Sequence, residues 1–341
     1  MDISLFDYEL PKERIAQTPI EPRDHSRMLV LRRTDHGSIT HDRFYNLTRY
    51  LKPGDLLVFN RTRVLPARLI GRKAESGGKA ECLLLHQVSD DVWSCLVKPG
   101  RRLAPGVRLL FGQGEIEGVI GERTGEGGRL VHFIWQGGFE EALSAVGQTP
   151  LPPYIHEAPD DPERYQTVYG DKPGSAAAST AGLHFTEGSL AELQSMGVES
   201  TQVLLHVGVD TFRPVSVQQI EDHQMHKEYC EVTGDTAEAV NKARAEGRRV
   251  VAVGTTSLRT LEAFGREGCL KAGAGWTDLF IYPGYPLKIA DGLLTNFHLP
   301  KSSLLMLVSA MAGRERIMAA YAEAIREEYR FFSFGDCMLI L

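Results

Sequence analysis

Three histidines lie in short polar segments where an imidazole could carry a proton: His184 in GSAAASTAGLHF, His206 in LLHVGVDTFRP and His298 in TNFHLP. Imidazole is the side chain that titrates nearest neutrality, which makes each a candidate general acid or base. For His206, a buried ring satisfied by backbone is an equal alternative. Around His184 the small residues permit close backbone approach, and Thr180 and Gly182 share its loop. His206 is followed by Asp210, Thr211 and Arg213 in a glycine-containing turn. Asn296 and His298 are expected to alternate onto one face of a strand. In VVAVGTTSLR an apolar strand breaks at Gly254 into Thr255, Thr256 and Ser257 as a helix begins, with Arg259 one turn on. Amides and hydroxyls there would face a ligand at the strand's carboxyl end, although the same residue types also cap ordinary helices.

Glu221, Asp222 and Glu228 in EDHQMHKE read as a solvated face, with Glu228 also a possible base. His223 and His226 have H-x-x-H spacing without the zincin glutamate or an evident third ligand, so no metal is expected. The chain has no G-x-S-x-G elbow, Walker A loop or G-x-G-x-x-G fingerprint, which removes the usual support for a serine hydrolase, P-loop kinase or Rossmann dehydrogenase.

These residues need elements to hold them. Between about 55 and 150 the runs DLLVF, ECLLLH, WSCLV, VRLLF, EIEGVIGE and RLVHFIW alternate with glycine-bearing turns, the spacing of a small antiparallel barrel, with no helical period. After Tyr154 strands alternate with amphipathic stretches of helix length, the pattern of an α/β layer architecture. Thr186 is expected to cap a helix to Met196, and helices are expected near Thr236–Glu246, Ser257–Arg266, Ser302–Ala312 and Arg314–Tyr329. TQVLLHVGV, RRVVAVG, LFIY, TNFHL and FFSFGDCMLIL read as strands. The first sixty residues lack a core of their own and are expected to complete the α/β domain. The expected fold class is therefore α/β: a discontinuous α/β domain, residues 1–60 plus 151–341, with a small β-barrel domain inserted at 61–150.

Composition bounds the alternatives. At 43% hydrophobic and 24% charged the chain can bury a sizeable core, so disorder is not expected. Its five cysteines are scattered, with no C-x-x-C pair, and read as small core residues. The acidic, weakly apolar start fits neither a signal nor a transit peptide, and the longest apolar run, near Leu304–Ala312, falls short of a membrane span, so a cytoplasmic protein is expected. The net charge of -6 conceals a basic segment: residues 61–110 hold ten Lys/Arg against four acids.

Read in order, FDYELP, IAQTPIEPRDHSRMLVL, PGDLLVFNRTRVLPARL, LPPYI, YQTVY, STAGLHFT, LHVGVDTFRPV, EDHQMHKEY, VAVGTTSLRTLE, TNFHLPKSSLLMLVSAMAG and RFFSFGDCMLI resemble, over practically the whole chain, the ribosyltransferase-isomerase family of queuosine synthesis. The resemblance implies a discontinuous α/β domain interrupted by a β-barrel. It implies transfer and isomerisation of the ribosyl group of S-adenosylmethionine onto 7-aminomethyl-7-deazaguanine at the wobble position of tRNA with a GUN anticodon, giving epoxyqueuosine, adenine and methionine. S-adenosylmethionine would be a co-substrate, and a monomer is expected.

That chemistry asks for a base to take an acidified ribose proton and an acid to protonate adenine. His184, His206, His298 and Glu228 are the candidates. Thr180, Gly182, Thr211, Arg213, Gly254, Thr255, Thr256, Ser257, Arg259 and Asn296 are the candidate binding residues, and Phe185 or Phe297 could face the sulfonium. Arg61, Arg63, Arg68, Lys98, Arg101 and Arg102 would hold RNA phosphates, a solvated barrel surface being the equal alternative. Two positions depart from the family pattern: Ser179 stands in place of proline and Asp210 in place of glycine. They bear on affinity more than on reaction type. Two other classes fit some of the residues, an S-adenosylmethionine-dependent tRNA methyltransferase and a non-catalytic RNA-binding module.

Overall fold

The computed structural model describes residues 1–33, 38–124, 127–157, 159–208 and 215–341. It divides into two compact units, Met1–Arg63 with Pro152–Lys172 and Ala178–Leu341, and Val64–Leu151 with Pro173–Ala177. In chain order the main strands are β1 Arg27–Leu31, β2 Ile39–Arg43, β3 Leu56–Asn60, β4 Arg68–Lys73, β5 Lys79–Ser89, β6 Val92–Lys98, β7 Arg108–Phe111, β8 Ile116–Arg123, β9 Arg129–Trp135, β10 Glu199–Leu205, β11 Glu228–Val232, β12 Val250–Val253, β13 Gly273–Thr277, β14 Gly292–Asn296 and β15 Cys337–Ile340. The α-helices are α1 Phe139–Val146, α2 Glu187–Ser195, α3 Gly234–Ala245, α4 Thr255–Phe264, α5 Ser303–Ala312 and α6 Arg314–Arg326. No helix among the described residues is long and apolar enough to cross a membrane.

The smaller unit is a closed antiparallel barrel in the order β4-β5-β6-β9-β8-β7, sealed where β4 pairs β7. Its strands alternate buried and open residues, as Ile116–Arg123 does, because one face of each strand fills the interior. Leu69, Cys82, Cys95, Phe111, Ile120, Val131 and Phe133 make that interior. The expected absence of helix here is corrected by α1, whose Leu143 and Phe139 pack into the same cluster.

The larger unit is a mixed nine-stranded sheet, β13-β11-β10-β3-β12-β14-β15-β1-β2. Its centre, β10, β3, β12 and β14, is parallel throughout. DLLVF, one of the short runs with the barrel's texture, forms β3 in the middle of this sheet. Every residue of β3 is buried, as a strand covered on both faces requires. Leu56 and Val58 face one core with Val240, Leu258, Met306 and Tyr321. Leu57 and Phe59 face the other with Phe44, Phe185 and Leu193.

Local chemistry sets the element ends. Thr186 caps α2 in a capping box with Ser189, and Ser302 caps α5 through Leu305 N–H. LFIY, expected as a strand, is not one: Leu279 N–H donates to Thr277 Oγ1 and Leu279 carbonyl accepts from Arg259 Nε, so side chains take the ladder's groups. In FFSFGDCMLIL only the last part is strand, because Asp336 accepts from Arg27 and Arg330 amides and turns the chain before Cys337. Four cysteines are buried, but Cys269 is exposed, correcting its expected place in the core.

Asn60 ends β3 by replacing the ladder with its side chain. Its Nδ2 donates to Leu205 carbonyl at 2.9 Å, and its Oδ1 accepts from Leu205 and Thr62 amides at 3.0 and 3.2 Å. Asn60→Ala strands three buried backbone groups and is expected to cost about 2 to 4 kcal/mol. Asn60→Asp keeps the acceptor but sets a buried carboxylate against the Leu205 carbonyl and should cost more. Urea titration of the two variants checks this; equal losses would contradict it.

Candidate active site

Parallel strands end together, so β10, β3, β12 and β14 present Leu205, Asn60, Val253 and Asn296 along one edge of the sheet. That edge is where ligands bind in open α/β sheets. Past β12, Gly254 holds φ +87°, and a Cβ there would lie 2.8 Å from Ser179 Oγ. Both facts require glycine. α4 then begins at Thr255 with no side-chain cap, two residues earlier than expected, leaving the amides of its first turn without intrahelical acceptors. Thr256 Oγ1 meets Ser179 Oγ at 3.0 Å, a link that joins the Ser179–Phe185 turn to α4 and that proline could not make. Ser257 Oγ donates back to Val253 carbonyl at 2.8 Å, so its proton is committed to the backbone.

His184 closes a 3-10 turn, Thr180–His184. Ser26 Oγ holds its Nδ1 at 2.7 Å, and Phe44 stacks on the ring at 5.4 Å. Burial drives its pKa down from 6.5 to about 4, against an opposing pull from Asn296 and with help from Arg164. Asn296 Nδ2 donates to Phe332 carbonyl, and the Asn296 side chain also lies against His184 as a weak hydrogen-bond partner, so Asn296 Oδ1 and His184 Nε2 have no partner of full geometry. Arg164 Nη1, Thr167 Oγ1 and Tyr169 Oη are buried without partners among the described residues, and Tyr165 Oη is buried beside the Ala178 backbone and Ser333 without a hydrogen bond of full geometry. Burial raises both phenols far above their ordinary range, so they remain donors. Gly182 is tied to this group: a Cβ on it would lie 1.9 Å from Tyr169 Oη. Buried polar atoms left open together mark a place for a polar ligand or water. Ser26, Arg164, Tyr165, Thr167 and Tyr169 are not among the residues singled out from sequence. The YQTVY run was the available signal, but its hydroxyls look ordinary until burial is known.

His206 lies one residue beyond β10, its Nδ1 2.9 Å from Thr62 Oγ1, and burial lowers its pKa to about 4. β14 stops at Asn296, so His298 does not share a strand face with it; instead Thr295 Oγ1 meets His298 Nε2 at 2.9 Å. Burial lowers His298 to about 3. Phe185 packs against Phe44 and Phe59, and Phe297 against Tyr321, Tyr329 and Phe331, so both serve the cores rather than a ligand.

Glu228 is buried and ion-paired with Arg259 Nη1, accepts from Gly208 N–H at 2.9 Å and lies 3.3 Å from His226 Nε2. Burial pushes its pKa up, but Arg259, His226 and Gly208 outweigh that and hold it at about 2. A carboxylate so stabilised is a weak base and a good anchor. It fixes Arg259, whose Nε donates to Leu279 carbonyl and whose buried Nη2 has no partner. Thr211, Arg213 and Asp210 fall outside the described residues. No three His, Cys, Asp or Glu side chains among the described residues are grouped to hold a metal.

The basic residues divide between the units. Arg61 pairs with Asp171 and Arg63 with Glu163, both at 2.5 Å, in the α/β unit. In the barrel, Arg68 and Lys98 share Glu81 at 3.1 and 3.7 Å, while Arg101 and Arg102 are exposed and form no ion pair among the described residues.

Residues 3–340 match the model of a family described as queuosine biosynthesis protein. The S-adenosylmethionine:tRNA ribosyltransferase-isomerase of Carboxydothermus hydrogenoformans is 58% identical over the full length of both chains. That of Moorella thermoacetica is 57% identical, again over all of both chains. The crystal structure of the S-adenosylmethionine tRNA ribosyltransferase from Thermotoga maritima is similar with a TM-score of 0.58 at 40% identity, covering 99% of this chain and 100% of that one.

The three depressed imidazoles make stability depend on pH. Their folded pKa values, about 4, 4 and 3, lie below the ordinary 6.5, so the unfolded chain binds more protons in between. The contribution is constant above pH 6.5 and is lost as pH falls toward 4. The urea midpoint should drop between pH 7 and 5, and His184→Gln should flatten that slope. A midpoint that holds steady to pH 5 would contradict the burial of these rings.

Proposed function

The chain belongs to the queuosine biosynthesis protein family, and on that premise we propose that it is an S-adenosylmethionine:tRNA ribosyltransferase-isomerase working at the carboxyl edge of its parallel strands. The reaction is transfer and isomerisation of the ribosyl group onto 7-aminomethyl-7-deazaguanine in tRNA, with release of adenine and methionine. The observation that carries the site assignment is the group of open polar atoms around His184 Nε2 and Asn296 Oδ1.

Bound S-adenosylmethionine supplies a sulfonium that acidifies the neighbouring ribose C–H, and adenine as the leaving group. His184 is neutral at pH 7, held by Ser26 on one nitrogen and with only the weak contact of Asn296 besides, an arrangement suited to accepting a proton at Nε2. The phenols of Tyr165 and Tyr169 and the amide of Asn296 would orient a nucleoside's polar edges. The first-turn amides of α4 and the open Nη2 of Arg259 suit a carboxylate, with Glu228 acting as the anchor of Arg259. His206 and His298 remain the candidates to protonate adenine. Arg101 and Arg102, exposed and without an ion pair among the described residues, would hold RNA phosphates. The finer reading is of a monomer in the cytoplasm, where tRNA is found, acting on tRNA with a GUN anticodon.

Incubating the protein with S-adenosylmethionine and tRNA carrying the aminomethyl-deazaguanine should release adenine and methionine together, with the matching mass gain in the RNA by mass spectrometry. His184→Gln should lower kcat by roughly 10² to 10⁴, the usual worth of a general base. Adenosylhomocysteine as product would make the protein a methyltransferase instead.

A further inference from the structure

The barrel strands run alternately up and down, so the connections between them gather at two ends. One end receives residues 72–81 between β4 and β5, 98–108 between β6 and β7, and 122–129 between β8 and β9. These hold nine Lys/Arg against four acids, with Glu126, which lies outside the described residues, counted among the acids. At the other end, 87–91, 112–115 and 136–141 hold Asp90, Asp91, Glu115, Glu140 and Glu141 and no Lys or Arg. The barrel is therefore electrically polar along its axis. At the basic end Lys98 shares Glu81 with Arg68, and Arg108 pairs with Glu117 at 2.6 Å. Lys73, Arg101, Arg102, Arg123 and Arg129 form no ion pair among the described residues.

Arg129 lies at the centre of this end. It stands opposite Cys95 of β6 and shares the inner face of β9 with Val131 and Phe133. It is 7% exposed, yet its one hydrogen bond to a described residue is long, from Nη2 to Gly100 carbonyl at 3.4 Å. Lys73 Nζ donates to Arg102 carbonyl at 2.8 Å. With those two carbonyls held, the turn Gly100–Arg102 keeps Arg101 and Arg102 exposed. Arg123 faces Arg129 directly across the β8–β9 ladder, a like-charge pair that costs stability and that a bound anion would relieve.

We propose that this end of the barrel docks the phosphate backbone of the RNA substrate, with Arg123 and Arg129 at its centre and Lys73, Arg101 and Arg102 around them. The inference rests on the tRNA reading above; to it are added Arg123, Arg129 and Lys73, and the end of the barrel that takes part. The residue type argues for phosphate. Six of the nine cations are arginines, whose planar fork matches phosphate oxygens two at a time. A membrane surface would ask for exposed apolar side chains beside the cations. None of the exposed large hydrophobic residues among those described lies in these three connections, and Leu103 in the middle of them is buried. The acidic connections at the opposite end repel the same polyanion, so the barrel's field orients an approaching RNA toward Arg129.

The test is the affinity of a fluorescein-labelled RNA hairpin of anticodon stem-loop sequence, measured by anisotropy over a range of salt. The proteins are the wild type, Arg123→Gln, Arg123→Lys, Arg129→Gln and, at the acidic end, Glu140→Gln. Arg123→Gln and Arg129→Gln should each weaken binding and lower the slope of log affinity against log salt by about one, the effect of one lost phosphate contact. Arg123→Lys should keep the slope, and Glu140→Gln should keep both slope and affinity. In the full reaction Arg123→Gln should raise KM for the tRNA while kcat at saturating tRNA and KM for S-adenosylmethionine hold. Arg123 is exposed, so its variants decide the matter even where Arg129→Gln fails to fold. Wild-type binding with unchanged slope and affinity in Arg123→Gln overturns the docking site alone. So does co-sedimentation with phosphatidylserine vesicles that Arg123→Gln abolishes while RNA affinity holds. A wild type that binds no RNA overturns the docking site and the tRNA reading together.

Discussion

A buried strand that ends must give its last backbone groups to something other than another strand, and four parallel strands end together here. Side chains take over that role. Asn60 binds both backbone groups of Leu205, Asn296 binds Phe332 carbonyl, and Ser257 returns its proton to Val253. Those bonds fix where the chain leaves the sheet and hence where Thr62, His206, Thr256 and His298 stand. The segment that supplies β3 comes before the barrel in sequence, and the strands beside it come after. The sheet, and with it the edge, exists only once the barrel's two flanks have been brought together.

Burial at this edge has two electrical consequences. Imidazoles without a carboxylate partner are driven neutral, as His184, His206 and His298 are. Where burial cannot be relieved by neutralising a group, it is relieved by pairing, as between Glu228 and Arg259. The result is neutral proton acceptors and one anchored guanidinium, a combination suited to a substrate that carries both a sulfonium and a carboxylate.

Much of this is legible in the residues themselves. The barrel strands show their period of two, and α2 shows its cap at Thr186, because those signals are local. β3 is harder: DLLVF is apolar at nearly every position, and only its partners distinguish a central parallel strand from a barrel strand. LFIY fails as a strand because a distant arginine claims its carbonyl. Gly254 and the threonines after it stand out as a strand-to-helix turn, whereas Tyr165, Thr167 and Tyr169 do not stand out as site residues. Their significance is that their hydroxyls are buried with bonding capacity left over, a property of the tertiary structure alone. Ser179 gains its meaning in the same way, through Thr256 across 77 positions of sequence.

The central claim is that the carboxyl edge of the parallel strands, and no part of the barrel, receives S-adenosylmethionine. Amide hydrogen exchange with and without S-adenosylmethionine, in the absence of RNA, tests it most directly. The account predicts slowed exchange in residues 180–185, 254–259 and 296–298, with residues 68–135 unchanged. Protection confined to the barrel, with those three segments unaffected, would contradict it.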